Sequence, residues 1–205
     1  MAWHDTTLGA HYWLGGSGNA EAIDNAWEIY AYFRNLSTPW TIESIAALTG
    51  NIQYEGIMNP YVRDANTTRA FGLVQWITHR SDMIAWARNN GMDPTKGPPQ
   101  VQYIELERQG IDDQWSGRGD FRGMSMSDFA YNTRSLTVER LARCWWDCFE
   151  RSAEYQTGRG TYAVKYYELF TGSTPPTPGP SPSPGYLTLW MMKKRWWYMG
   201  GRRYI

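Results

Sequence analysis

Glu55 is the residue whose type and setting offer this chain its most specific chemistry. It stands within GNIQYEGIMNP, residues 50 to 60, and FGLVQW follows from residue 71. Protonating a glycosidic oxygen takes a carboxylic acid that still holds its proton at working pH. Burial beside apolar groups supplies one, because desolvation penalises the ionised form. Glu55 continues an apolar stripe through Ile45, Leu48 and Ile52, at spacings of three, four and three, so its side chain is expected to face the core or a cleft wall. It also falls at the C-terminal end of that helix, where the dipole disfavours an anion. Both effects act in the direction of a general acid. On spacing alone, a glutamate at a helix end is more often a solvated or structural residue.

The rest of the chain offers less. His4, His11 and His79 lack ligand spacing, so neither a metal nor any other cofactor is expected. Cys144 and Cys148 lie four apart in a helical stretch and follow all three histidines. They read as two buried thiols, a bridge between them being geometrically awkward. An inverting glycosidase needs a second carboxylate about 6.5–9.5 Å from the acid. Asp64 is the nearest in sequence, and Asp112, Asp113 and Asp120 fall in IDDQWSGRGDF; all four read first as solvated loop residues. Glu150 reads as half of a structural ion pair with Arg151 or another arginine.

The elements that must hold Glu55 are helical. Residues 19 to 35 carry Ile23, Ala26, Trp27, Tyr30 and Phe33 on one stripe, with Asn19 as candidate cap. Thr41 can cap the next helix, which Gly56 and Pro60 stop. Ser81 is the expected cap of a helix closed by Asn90 and Gly91, and Pro98-Pro99 with Gly110 frame another. Thr137 opens one through Val138, Leu141, Ala142, Trp145 and Phe149, and a last covers about 160 to 170. Strand-like alternation is confined to Ala70–Trp76. The fold class is mainly α, with that one small strand-like segment.

Proline, serine and glycine dominate residues 172 to 185, a composition that favours an extended spacer over a core. It separates an expected domain, residues 1 to 171, from a tail at 186 to 205. That tail holds five cations and no acid, leaving fifteen basic against twenty acidic residues before it, a net charge of about −5. Nucleic-acid binding by the main domain is not expected. The tail is expected to pack on a partner protein, with an amphipathic membrane-surface or nucleic-acid element as the other candidates. Twelve Trp and fourteen Tyr could stack on sugars, although core packing is the first explanation for any one ring. No run of about 18 apolar residues suggests a membrane-spanning helix, and the N-terminus lacks the pattern of a signal peptide.

The ordered motifs resemble the phage tail lysozyme family, within the broader group of lysozymes and lytic transglycosylases. Gly50, Asn51, Glu55, Asn59 and Pro60 match its pattern G-N-x-x-x-E-S-x-x-N-P, and Gly72, Leu73, Gln75 and Trp76 match G-L-x-Q-W. NAWEIYAYF, RSDMIAWARNNGMDP, CFERS, Arg159 and YAVKYYELF extend the similarity over about residues 12 to 170. The resemblance implies a lysozyme-like domain that cleaves the MurNAc–GlcNAc β-1,4 bond of peptidoglycan, with Glu55 as catalytic acid. It implies substrate contacts from Tyr54, Asn59, Gln75 and Trp76, the last by stacking on a sugar, and close backbone approach at Gly72. It further implies a virion setting at the tail tip during genome delivery, with the C-terminal tail bound to other tail proteins. Three alternatives stay open: lytic transglycosylase chemistry, a non-catalytic wall-binding or tail-plug protein, and a free endolysin. One departure is Gly56, where the family commonly has Ser; Gly56 is expected to act as helix C-cap.

Overall fold

The computed structural model describes residue 3 and residues 19–61, 70–111, 114–151 and 154–172. Seven α-helices are described: α1 (Asn19–Arg34), α2 (Ile42–Gly56), α3 (Arg80–Asn89), α4 (Gly97–Arg108), α5 (Met126–Ala130), α6 (Val138–Trp145) and α7 (Gly158–Gly172). A 3-10 turn covers Gly119–Phe121, and a π-turn, Trp146–Glu150, continues α6. The architecture is mainly α, as expected. The side chain of Asn19, Asp64, Asp112, Asp113, His4, His11, the spacer beyond Gly172 and the tail lie outside the described residues.

Helix α2 is the axis of the fold. Every residue from Ser44 to Gln53 is buried, so the helix is enclosed on all sides instead of showing the single apolar stripe expected. Its start is fixed chemically. Thr41 accepts a hydrogen bond from Ser44 N–H at 3.2 Å, and Ser44 Oγ donates to Phe129 O at 2.6 Å. Thr41 N–H donates to Ala130 O at 3.0 Å, tying the same corner to α5. Helix α7 lies closely against α2: a Cβ placed on Gly50 would sit 2.5 Å from Ala163 N and 2.7 Å from its Cα. Only glycine allows that approach of two helix backbones.

Rings fill the remaining core. Trp145 stacks on Phe149 with centroids 4.2 Å apart, and Phe129 meets Trp145 at 5.4 Å. Phe170 of α7 reaches Trp27 and Tyr30 of α1 at 5.0 and 4.8 Å. Ala26, Trp27 and Phe33 of the expected α1 stripe are buried, joined by Ala22 and Ile29, while Ile23 and Tyr30 are half-buried. The buried tryptophans are therefore core residues, contributing apolar area and preferred ring geometry.

Three local expectations change. Ser81 does not cap α3; His79 holds the N-cap position without a capping side-chain bond. Ala70–Trp76 is not a strand: Phe71 and Trp76 exchange two backbone hydrogen bonds, 3.1 and 3.0 Å, as an isolated antiparallel bridge. Between them Gly72–Gln75 make a tight turn, with Gly72 at φ +79° and Gln75 at φ +52°. A segment this short closes on itself and has no partner strand among the described residues. Gly56 is not the C-cap either; it is the last helical residue, and Ile57 and Met58 take left-handed φ of 47° and 60°. Asn25 Nδ2 donates to Met58 O at 2.9 Å across the core and holds that reversal.

Replacing Gly50 by Ala should destabilise the protein by about 1–3 kcal/mol or more, because backbone cannot yield as a side chain can. Thr41→Ala should cost about 1 kcal/mol through the lost cap. Urea unfolding of each variant checks both values and their order.

Candidate active site

Asn51 and Glu55 stand four apart on α2 and so share one face. Both reach Arg159 in the first turn of α7, which projects across the α2–α7 contact. The Arg159 side chain is only 2% exposed, and its guanidinium is held from several directions. One terminal nitrogen donates to Asn51 Oδ1 at 3.1 Å and meets Glu150 Oε2 at 2.6 Å. The other donates to Glu55 Oε1. Nε donates to Gln156 Oε1 at 3.3 Å, and the Tyr54 ring lies beneath Cζ at 4.7 Å. Tyr54 fits there because Gly158 has no Cβ, which would approach the ring to 2.9 Å. The result is a buried cation between two carboxylates.

Each partner is anchored in turn. Asn51 Nδ2 donates to Ala47 O at 2.9 Å and to Ala142 O at 3.1 Å, which fixes its carbonyl oxygen toward Arg159 and ties α2 to α6. Glu150 comes from the π-turn, whose wider winding ends with Arg151 at φ +57° and a 2.8 Å bond from its N–H to Trp146 O. Its side chain is 7% exposed, whereas that of Glu55 is 26% exposed. Burial pushes the Glu150 carboxyl well above the usual range; the Arg159 charge opposes this, and Glu55 reinforces it as a neighbouring anion. Glu55 is the partly solvent-facing member of the cluster and Glu150 the sealed one.

The expected ion pair of Glu150 with an arginine is present, and the arginine is Arg159. Asp120 is exposed and pairs with Arg140 at 3.3 Å, as its solvated reading had it. Cys144 and Cys148 are free and buried. Among the described residues no group of three or more His, Cys, Asp or Glu side chains is arranged to hold a metal ion.

Several residues expected to touch substrate form the scaffold instead. Trp76 is 1% exposed, packs edge-on against Tyr103 at 6.0 Å, and donates to Glu107 at 3.3 Å; no ring face is left for a sugar. Asn59 is buried and accepts from Tyr61 N–H at 2.9 Å, forming an Asx turn. Gly72 makes room for protein, not ligand: its Cβ would fall 2.6 Å from Gln100 Oε1. That amide accepts from Leu73 N–H at 2.8 Å and donates to Pro60 O and Pro94 O at 2.7 and 2.9 Å. Gln100 thus clamps both motifs to α4. Gln75 is half-buried, and its Nε2 donates to Gly72 O at 2.7 Å. Tyr54, half-buried, sits under Arg159.

Gly56 has a steric role. A Cβ there would lie 2.9 Å from Leu73 O and 3.1 Å from Gly72 O, so the second motif's turn rests directly on the helix end beside Glu55.

A helical domain in which one partly exposed glutamate closes a buried central helix is the arrangement of a lysozyme-like protein. The phage tail lysozyme family model matches residues 24–170, and the chain belongs to that family. It is similar to morphogenesis protein 1 of Bacillus phage B103, with 32% identity over 148 residues. The similarity covers 69% of this chain and 39% of that protein's length.

The Gly56 contact makes the family's serine unfavourable here. Gly56→Ser should cost about 1–3 kcal/mol, because its Cβ must displace the carbonyls of Gly72 and Leu73. Thermal unfolding of the variant against wild type measures the loss; an unchanged midpoint would show that the turn yields freely.

Proposed function

We propose that this chain is a peptidoglycan-cleaving lysin that breaks the β-1,4 bond between N-acetylmuramic acid and N-acetylglucosamine, with Glu55 as general acid. The observation that carries this reading is the placement of Glu55. It ends a rigid, enclosed helix with one carboxylate oxygen held by Arg159 and part of its side chain open to solvent. A fixed acid is aimed at a bound atom without further ordering, which is the condition for efficient general acid catalysis. Glu55 protonates the leaving oxygen as the glycosidic bond breaks. It then receives the proton of the attacking hydroxyl, supplied by water in hydrolysis or by the sugar's own 6-hydroxyl in lytic transglycosylation.

Membership of the tail lysozyme family and similarity to a phage morphogenesis protein support action from the virion. In this reading residues 1 to 171 form the cutting domain, residues 172 to 185 the spacer, and residues 186 to 205 the anchor on another tail component. A lysin carried at the tail tip opens the wall locally for genome delivery. Among the described residues no helix is long and apolar enough to cross a membrane.

Glu55→Gln keeps the side chain's volume and removes the acid. Clearing of a peptidoglycan gel should fall by about 100-fold or more, the scale of a lost general acid, with the melting temperature retained within a few degrees. Wild-type protein that never clears such a gel would contradict the enzymatic reading and favour a non-catalytic wall-binding role.

A further inference from the structure

Glu55 as general acid raises a question of charge. Arg159 is a permanent cation held against Glu55. The same guanidinium meets Glu150 at 2.6 Å. Two ionised carboxylates around one guanidinium would leave an uncompensated negative charge in a largely buried place, which is costly. The cluster is neutral when it holds one proton.

The surroundings of Glu150 say where that proton rests. Both of its oxygens are buried without an aligned hydrogen bond, although Arg159 stands 2.6 Å from Oε2 and the Glu55 carboxyl and Trp145 indole also act on the group. Trp145 Nε1 is likewise buried without an aligned acceptor. An ionised carboxylate needs several good donors in such a site, and a neutral acid needs fewer. The charged and titratable groups acting on Glu150 are Arg159 of α7 and Glu55 of α2, with the neutral Trp145 of α6 completing the set. Burial therefore favours the neutral acid at Glu150.

We propose that Glu150 is a positioning residue that stores the proton Glu55 delivers, the two carboxyls and Arg159 acting as one unit with a single mobile proton. This rests on the reading of Glu55 as general acid. The transfer breaks the O–H bond on Glu150 and forms one on Glu55, so net charge is conserved and Arg159 remains paired with a carboxylate throughout. What keeps the charge on Glu55 in the free protein is its residual contact with water. A glycan strand that covers Glu55 removes that advantage and moves the proton outward, to the oxygen that faces the scissile bond. Glu55 then passes it to the leaving oxygen as the C–O bond breaks. The attacking hydroxyl, of water or of the sugar, returns one proton to the pair.

Burial raises the Glu150 carboxyl above the ordinary range, so the stored proton survives to higher pH than an isolated glutamate would hold it. Wild-type activity extends upward until that proton is lost. Glu150→Gln cannot store it, and Glu55 must then draw its proton from solvent against Arg159.

The test uses the full chain on insoluble peptidoglycan, with kcat and KM followed across pH. Glu150→Gln should lower kcat near neutral pH by about tenfold or more, leave KM within about twofold, and move the alkaline limb of the profile by more than about one pH unit toward acid. A variant that loses thermal stability but keeps the wild-type limb has lost only structure, and overturns the proposal. Carbon-13 NMR of glutamate-labelled wild type provides a measurement independent of whether the variant folds. One side-chain carboxyl should remain protonated near neutral pH, and titration of every glutamate in the ordinary carboxylate range overturns the proposal. The two readings fail separately. Activity retained by Glu55→Gln defeats the general-acid assignment, whereas an inactive Glu55→Gln with an unshifted Glu150→Gln profile defeats only the proton store.

Discussion

A single buried cation organises this domain. Arg159 is almost wholly enclosed, and a guanidinium cannot shed its charge, so the fold must bring it acceptors. Asn51 and Glu55 arrive from α2, Glu150 from the π-turn after α6, and Gln156 from the approach to α7. Residues of α2, 104 and 108 positions earlier in the chain, thereby converge with two near neighbours on one group. Loss of one carboxylate leaves Arg159 the other, whereas stranding a buried charge altogether typically costs about 3–5 kcal/mol. The constraint that holds these helices together is the same one that fixes Glu55.

The close approach of α2 and α7 makes the reach possible. Gly50 lets the α7 backbone come against α2, one helical turn before Glu55, and Gly158 admits the Tyr54 ring under Arg159. Around the outside, Gln100 bonds to the chain after α2 and to the Gly72–Leu73 turn, while Gly56 lets that turn rest on the helix end. The motif residues thus form a rigid frame, and Glu55 is the part of that frame left partly open to solvent. For the proposed general acid, a side chain held in this way spares the ordering cost that a loosely held one would meet at each turnover.

Much of the helical plan was legible in the sequence because it rests on local chemistry. Thr41 and Thr137 cap as expected, Pro98-Pro99 opens α4, and Gly91 and Gly110 take the positive φ angles that follow their helices. The position of Glu55 at the end of its helix was readable for the same reason. What the sequence concealed are contacts made across the fold. Arg159 lies 104 residues from Glu55, and no periodicity links them; the visible hint was a cation between two glycines in a segment otherwise bound for the core. Gln100 sits mid-helix without a motif. Trp76 and Asn59 carried the right residue types for sugar contact, but their burial depends on Tyr103, Glu107 and the Tyr61 backbone. The π-turn that presents Glu150 has no sequence signature comparable to a cap.

The proposed cut by Glu55 in the glycan strand of peptidoglycan is checked by mass spectrometry of the fragments that wild-type protein releases from purified cell wall. Disaccharide–peptide fragments cut between N-acetylmuramic acid and N-acetylglucosamine are expected, with reducing or 1,6-anhydro muramic ends and intact peptide stems. Released peptides with uncut glycan, or no released fragments at all, would contradict it.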